Sequence, residues 1–241
     1  MGLTKRVIAQ VLVKGGRCVK GVQFKDHRDV GDPAEVGKVL ADQGIDEIIF
    51  LNIDPASTPM EEFCRMLSAF TRNCFIPVAA GGGIKDVEGA WQLFRSGADK
   101  VVLGTRATRE EGRIEEIASY FGQQAVVYGL HYSGPTILRA EAPPRALVRH
   151  PVLGVAGEVL LQSIDRDGQG HGYDVESLTR VLKIYSVPVL VSGGAGNPQH
   201  LADAFDAGAS GCVVGTMFHF TDQSPIKVKS WLANKGYEVR P

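Results

Sequence analysis

Two short apolar segments end in glycine clusters that have the composition of a phosphate-binding site. The segments are residues 77–84, which end in Gly-Gly-Gly-Ile, and residues 188–196, which end in Ser-Gly-Gly-Ala-Gly. Backbone N–H groups at such a turn can bind an anion, because small residues let it approach and a following helix N-terminus favours negative charge. Each segment is followed by another apolar run that ends in Gly-Thr, at residues 104–105 and 215–216. The sequence therefore predicts two phosphate-binding sites.

The two segments belong to an internal repeat with a constant offset of 111 residues. Gly82 corresponds to Gly193, and further upstream Glu47 corresponds to Glu158. A repeat of this length indicates duplicated supersecondary units, so we expect the elements around both sites to be built alike.

Apolar runs rich in β-branched residues alternate with amphipathic stretches, which is typical of parallel strands joined by helices. The eight predicted strands are residues 7–13, 47–52, 78–80, 100–104, 125–130, 158–162, 189–192 and 211–215. Four helix starts are marked by a capping residue followed by proline, at Asp32, Thr58, Asn197 and Ser224. Eight strand–helix units with a half-chain repeat predict a single α/β domain over residues 1–241, a (β/α)8 TIM barrel with its chemistry at the carboxyl ends of the strands. The alternative, a doubly wound open sheet, explains the repeat poorly.

The fifth strand–helix unit is predicted to be shorter than its counterpart in the first half. Aligning residues 7–8 with residues 126–127 places Leu12 opposite His131 at an offset of 119, which has to fall to 111 by Glu158. The missing 8 residues fall within residues 132–157, where prolines leave room for only a short helix. We therefore expect a stunted helix and an abbreviated loop in this unit.

The composition excludes several classes of function. The chain has 241 residues, of which 44% are hydrophobic, and a formal net charge of −1. That charge provides no basic face for nucleic acid, so a ligand has to be recognised locally. The cysteines at positions 18, 64, 74 and 212 have neither CxxC spacing nor clustered histidines, so no metal or other cofactor is predicted. Scattered thiols suit a reducing cytoplasm, and without a run of 18 apolar residues we expect no membrane insertion or export.

Nine short motifs occur in order along nearly the whole chain. They are residues 13–21 (VKGGRCVKG), 31–33 (GDP), 44–47 (GIDE), 81–84 (GGGI), 97–101 (GADKV), 163–168 (SIDRDG), 172–174 (GYD), 192–196 (SGGAG) and 218–220 (FHF). In this combination the chain resembles the HisF family, the cyclase subunits of imidazole glycerol phosphate synthase. Only residues 132–157 depart from the family in length.

The resemblance implies a subunit that receives ammonia from a HisH-like glutaminase at the amino-terminal face of the barrel and uses it at the carboxyl-terminal face. Its substrate would be a small molecule with a phosphate at each end. The residues that match the two phosphate sites are Gly82, Gly83, Gly104 and Thr105 in the first half, and Ser192, Gly193, Gly194, Gly215 and Thr216 in the second. The alternative is that the glycines only permit tight packing of strand against helix. Two such turns in register favour phosphate binding.

The family's cyclisation needs one aspartate at the end of the first strand and one at the end of the fifth, acting as general acid and base. This chain has Leu12 and His131 at those positions. Leucine carries no titratable proton, whereas an imidazole titrates near neutrality, so His131 is a candidate catalytic residue. The alternative is that His131 only lines an altered pocket. Asp167 matches a family acid near the substrate and is the second candidate, although it also suits an Asp-Gly turn. Asn52 and Gln162 also replace family residues, an Asp and a Thr.

The family closes its ammonia passage at the opposite end of the barrel with two basic and two acidic side chains. The matching residues are Arg6, Glu47, Lys100 and Glu158. Alternating charges neutralise one another where the barrel mouth would otherwise leave ions unpaired, so a purely structural ring is the alternative. Asp99 matches the acid that the family presents to its glutaminase partner, which favours a docking face and a gate.

Three functions are compatible with a retained charged ring and missing aspartates. The leading hypothesis is a HisF-like subunit that channels ammonia to a phosphorylated or sugar acceptor, with a sugar amidotransferase of polysaccharide biosynthesis as a further candidate partner. The first alternative is an active cyclase subunit, a lyase of histidine biosynthesis, in which His131 transfers protons. The second alternative is a phosphate-binding scaffold without catalytic activity.

Overall fold

A closed barrel of parallel strands forms the centre of the molecule. The computed structural model describes residues 4–72, 74–104, 112–134 and 155–240. The strands in these ranges are β1 (Arg6–Lys14), β2 (Arg17–Val22), β3 (Lys25–Gly31), β4 (Glu47–Asn52), β5 (Val78–Gly81), β6 (Lys100–Leu103), β7 (Val126–Tyr132), β8 (Glu158–Ser163), β9 (Val189–Ser192) and β10 (Gly211–Val214). Strands β1 and β4 to β10 pair in parallel in chain order.

Pairing between β10 and β1 closes the barrel, with Val7 opposite Cys212. Closure confirms the (β/α)8 prediction and excludes the open sheet. The predicted strand limits differ in detail, since Ala125 lies in a 3-10 turn (Gln123–Ala125) rather than in a strand.

Helices cover the outside of the barrel. They are α1 (Pro33–Asp42), α2 (Met60–Thr71), α3 (Val87–Arg95), α4 (Arg113–Phe121), α5 (Val175–Leu182), α6 (Pro198–Asp206), α7 (Thr216–Phe220) and α8 (Pro225–Asn234). The predicted caps at Asp32, Asn197 and Ser224 are confirmed, because each side chain accepts a hydrogen bond from a first-turn N–H. The predicted cap at Thr58 is wrong, because Pro59 precedes α2 and the Thr58 hydroxyl accepts a hydrogen bond from Gly16 N instead.

A β-hairpin made by β2 and β3 extends the barrel at the carboxyl end of β1. Strand β2 pairs antiparallel with both β1 and β3. The sequence did not predict it, because β3 is largely exposed and lacks the alternation of a half-buried strand. The hairpin carries Lys20 and Phe24 to the carboxyl-terminal face of the barrel.

The two halves have the same strand register. Ile48 pairs with Val78 between β4 and β5, and the residues 111 positions later, Val159 and Val189, pair between β8 and β9. The internal repeat is therefore present in the fold. Most of the fifth connection, residues 135–154, lies outside the described residues, and so does the predicted stunted helix.

Apolar side chains line the middle of the barrel between its two ends. The inner cluster comprises Ile8, Leu12, Val19, Ile49, Leu51, Ala79, Val102, Val127, Leu160, Leu190 and Val213. A second, larger cluster packs the outer faces of the strands against the helices. The polar groups of interest therefore lie at the two mouths of a packed apolar barrel.

Candidate active site

The second-half glycines hold an unusually close backbone turn at the end of β9. Gly193 has a φ of +94° and Gly194 a φ of +110°, a region that L side chains rarely adopt. A β-carbon on Gly193 would lie 2.5 Å from Ser163 O, and one on Gly194 would lie 2.1 Å from Gly172 O. Ser192, Gly193, Gly194, Gly215 and Thr216 line one small cavity, so the fold brings together all five predicted residues of this cradle.

The first-half cradle repeats this geometry at the end of β5. Gly82 has a φ of +101°, and a β-carbon there would lie 2.0 Å from Asn52 O. Gly83 and Gly104 line the same cavity as Gly82, whereas Thr105 lies outside the described residues. Close packing explains why position 82 is a glycine, which agrees with the alternative that these glycines only permit tight packing. It does not account for Gly104, because among the described residues a β-carbon there would make only an ordinary contact, with His131 Cε1 at 4.0 Å.

An apolar chamber lies between the two cradles. Two adjoining cavities of about 320 and 300 Å³ share Phe24, Leu51, Ile53 and His131 in their walls. The edge of the Phe24 ring faces the His131 ring, with centroids 5.7 Å apart. This space is large enough for a small organic substrate between two phosphates.

The walls of the chamber contain the two residues that replace the family's aspartates. Leu12 is buried and His131 opens into the chamber. Part of the His131 surface is exposed to water, but the chamber walls replace some of the water around the ring, and this desolvation lowers the pKa of the imidazole below its usual range. His131 has no hydrogen bond to a carboxylate in the described part of the chain. A lowered pKa favours the neutral imidazole, which is the form that can accept a proton.

The Asp167 carboxylate is committed to an ion pair with a residue that the sequence analysis missed. Lys20 Nζ donates to Asp167 Oδ1 at 2.6 Å and to Oδ2 at 2.8 Å, and both side chains are buried. Lys20 also lies over Gly215, where a β-carbon would be 2.8 Å from Lys20 Cε. Asp167 therefore holds a cation at the second cradle. The signal that could have identified Lys20 was the presence of a lysine among the buried residues of β2.

Four charged side chains form a closed ring at the amino ends of the barrel strands. Arg6 Nη1 lies 2.8 Å from Glu47 Oε2 and 2.8 Å from Glu158 Oε1. Lys100 Nζ lies 3.0 Å from Glu47 Oε1 and 2.9 Å from Glu158 Oε2. Each cation thus contacts both carboxylates, and the ring carries no net charge. All four residues that the sequence analysis selected for this end meet in one network.

An exposed groove lies beside the charged ring on the same face. Asp99 and Phe75 both line this groove, whose volume is about 590 Å³. Asp99 Oδ2 accepts a hydrogen bond from Val78 N, which fixes the carboxylate at the start of β5. The Phe75 side chain is 95% exposed. Aromatic residues are enriched in protein–protein interfaces, so this groove is a candidate contact surface.

The described ranges lack two further classes of site. These residues include no group of three or more His, Cys, Asp or Glu side chains placed to hold a metal ion. Among their helices, none combines the length and apolar character that a bilayer crossing needs.

Comparison with known proteins identifies similar chains over the full length. A family model described as "Histidine biosynthesis protein" matches residues 6–224. The chain is 40% identical to a protein of Chloroherpeton thalassium, 39% to one of Streptomyces coelicolor and 38% to one of a Thermotoga species, covering 99–100% of this chain and 98–100% of each relative. Each of the three relatives is named imidazole glycerol phosphate synthase subunit HisF.

Proposed function

The chain belongs to the HisF family, and from this we propose that it is the ammonia-using subunit of a synthase that a partner glutaminase supplies. Ammonia enters at the ring of Arg6, Glu47, Lys100 and Glu158 and is used on a phosphorylated small molecule at the opposite face. The observation that carries the proposal is the position of two different sites at the two mouths of one barrel. A charged ring beside a contact surface suits delivery, and two glycine cradles around a chamber suit a substrate with two phosphates.

The first candidate reaction is ring closure in imidazole glycerol phosphate synthesis. The names of the relatives favour this alternative over our leading sequence-based hypothesis, and no relative described above is named for sugar amidation. In this reaction His131 acts as the general base, because it is a titratable group in the chamber wall with a lowered pKa.

The second candidate is delivery of ammonia to a different phosphorylated or sugar acceptor. The observation in its favour is Leu12, which is apolar and buried where the family's chemistry needs a carboxylate. Asp167 does not replace that carboxylate, because both of its oxygens contact Lys20. Under this reading the chamber retains substrate binding and the acid–base pair is lost.

A direct assay separates the two candidates. Purified protein is given ammonium salts and the bis-phosphate substrate of imidazole glycerol phosphate synthase, and product formation is followed. If ring closure is the function, His131→Ala lowers kcat about 100-fold or more, because general base catalysis is lost. Since the pKa of His131 is lowered, the neutral base persists below pH 6.5, so the acid limb of the kcat profile should lie below that pH.

Each outcome of this assay bears on a stated candidate. Turnover by the wild type that His131→Ala abolishes supports the first candidate. Absence of turnover, with the substrate still bound, contradicts the first candidate and agrees with both the second candidate and the phosphate-binding scaffold. Turnover that His131→Ala leaves unchanged contradicts the role of His131.

The docking face gives a separate prediction about the partner. Phe75→Ala should weaken binding of the organism's HisH-like glutaminase roughly 5- to 30-fold, because an exposed aromatic anchor typically contributes about 1–2 kcal/mol. Unfolding should be unaffected, since the ring buries almost nothing in the isolated chain. Isothermal titration calorimetry measures the affinity.

Ile226→Ala provides the matched control for Phe75→Ala. Ile226 is also an exposed large apolar residue, but it lies at the start of α8 on the opposite side of the barrel. Its replacement should leave glutaminase binding unchanged. Equal effects of the two substitutions would contradict the assignment of the docking face.

A further inference from the structure

A buried side-chain amide nitrogen in the barrel interior has no hydrogen-bond partner among the described residues, and its residue borders the second cradle. Gln10 is on β1, with its side chain on the same inward face as Ile8 and Leu12. The residue is 1% exposed, and its Nε2 has no hydrogen-bond partner in the described part of the chain. Buried polar groups are almost always hydrogen bonded, so an exception of this kind requires an explanation.

Gln10 lines both the small cradle cavity and the central chamber. The cradle cavity is bounded by Gln10 together with Lys20, Ser192, Gly193, Gly215 and Thr216. The Thr216 hydroxyl is a second buried group without a hydrogen-bond partner among the described residues. Two unpartnered polar groups and the Lys20–Asp167 ion pair therefore border the same cavity as Gly193 and Gly215.

The Gln10 backbone is fixed independently of its side chain. The Gln10 carbonyl oxygen lies 3.0 Å from His219 Nε2, which ties β1 to α7 behind the cradle. The amide is thus presented on a rigid strand rather than on a loop, which is the arrangement that gives a binding group a defined direction.

We infer that Gln10 is a ligand-binding residue whose Nε2 donates a hydrogen bond to a phosphate oxygen held in the second cradle. This inference rests on the proposed function, in which that cradle binds one phosphate of the acceptor. A donor to a charged oxygen contributes more than a neutral hydrogen bond, and the low dielectric of the barrel interior strengthens it.

The test is the binding of inorganic phosphate to the full chain, measured by calorimetry, together with the thermal midpoint of the ligand-free protein. Gln10→Leu should weaken phosphate binding about tenfold, because one charge-assisted hydrogen bond is lost. The midpoint without ligand should stay the same or rise, since an apolar side chain of similar size replaces an unsatisfied donor. Gln10→Glu should weaken binding further by placing a carboxylate against the phosphate. Gln92→Leu, on the exposed face of α3, is the control.

The opposite signs of the two readouts distinguish a binding role from a structural one. If Gln10→Leu lowers the midpoint and leaves phosphate affinity unchanged, Gln10 is structural and the inference is overturned. If the wild type binds phosphate and Gln10→Leu binds it equally well, the inference fails while the cradle stands. If the wild type binds no phosphate, the proposed cradle fails, and the role of Gln10 fails with it.

Discussion

Replacing Gly193 with Ala is expected to lower the free energy of unfolding by about 4 kcal/mol. The backbone there has a φ of +94°, which costs an alanine about 1–3 kcal/mol. In addition, the new β-carbon would lie 2.5 Å from Ser163 O, so β8 or the turn has to move, at a cost of about 1–3 kcal/mol. Urea unfolding measures the loss. Phosphate affinity should fall as well, because the movement displaces the N–H groups of the cradle.

The repeat and a hairpin glycine provide controls for this substitution. Gly82→Ala should produce a loss of similar size, because its β-carbon would lie 2.0 Å from Asn52 O at the equivalent turn. Gly15→Ala should cost only about 1 kcal/mol, since Gly15 also has a positive φ but has nothing within 4 Å of the added atom. A Gly193→Ala loss no larger than that of Gly15→Ala would show that the close approach to Ser163 is not a constraint.

Neutralising Glu47 is expected to destabilise the protein by about 3 kcal/mol, the lower part of the range for breaking a buried ion pair. Glu47 is 2% exposed and contacts both Arg6 and Lys100, so Glu47→Gln leaves two cations facing one carboxylate. We expect the lower part of that range because the Arg6 and Lys100 side chains are 18% and 19% exposed, so water screens their charges in part. Chemical denaturation at low and high salt measures the change, and salt should reduce it by screening the excess positive charge.

A charge-balanced double variant separates electrostatics from packing in the ring. Adding Lys100→Met to Glu47→Gln removes one charge of each sign and should recover part of the stability that the single variant loses. Glu176→Gln, in the exposed Arg180–Glu176 pair of α5, should change stability by less than about 0.5 kcal/mol. The loss of unfolding free energy in the double variant can be compared with the sum of the losses in Glu47→Gln and Lys100→Met alone. If the loss in the double variant is larger than that sum, the four charges do not act as a neutral set.

Much of the fold followed from local sequence signals. The eight barrel strands were predicted because parallel strands with two covered faces appear as continuous apolar runs, and the closed barrel was predicted because the half-chain repeat requires equivalent units. The strand registers of β4–β5 and β8–β9 bear out the 111-residue offset. The β2–β3 hairpin was missed because β3 is stabilised by pairing with β2 and has almost no buried face of its own.

The substrate end of the barrel was predicted less completely than the ring end. The four ring residues were predicted from the resemblance to the HisF family, whose charged ring lies at the amino ends of the barrel strands. Lys20 and Gln10 are also polar residues in strands, but their roles depend on the groups that surround them in the folded chain. Lys20 and Asp167 are 147 positions apart in the sequence, so no local pattern predicts their contact.

The sequence by itself determined the barrel, its repeat, the positions of the glycine turns and the chemical types at both mouths, because strand periodicity and chain order fix these locally. Only the tertiary structure decided that Asp167 is paired with Lys20, that Leu12 and His131 border an apolar chamber, that Gln10 lines the second cradle and that Phe75 stands exposed beside Asp99. The physical reason is that the protonation, hydrogen bonding and exposure of a side chain depend on neighbours from distant parts of the chain. Barrel closure brings those neighbours together.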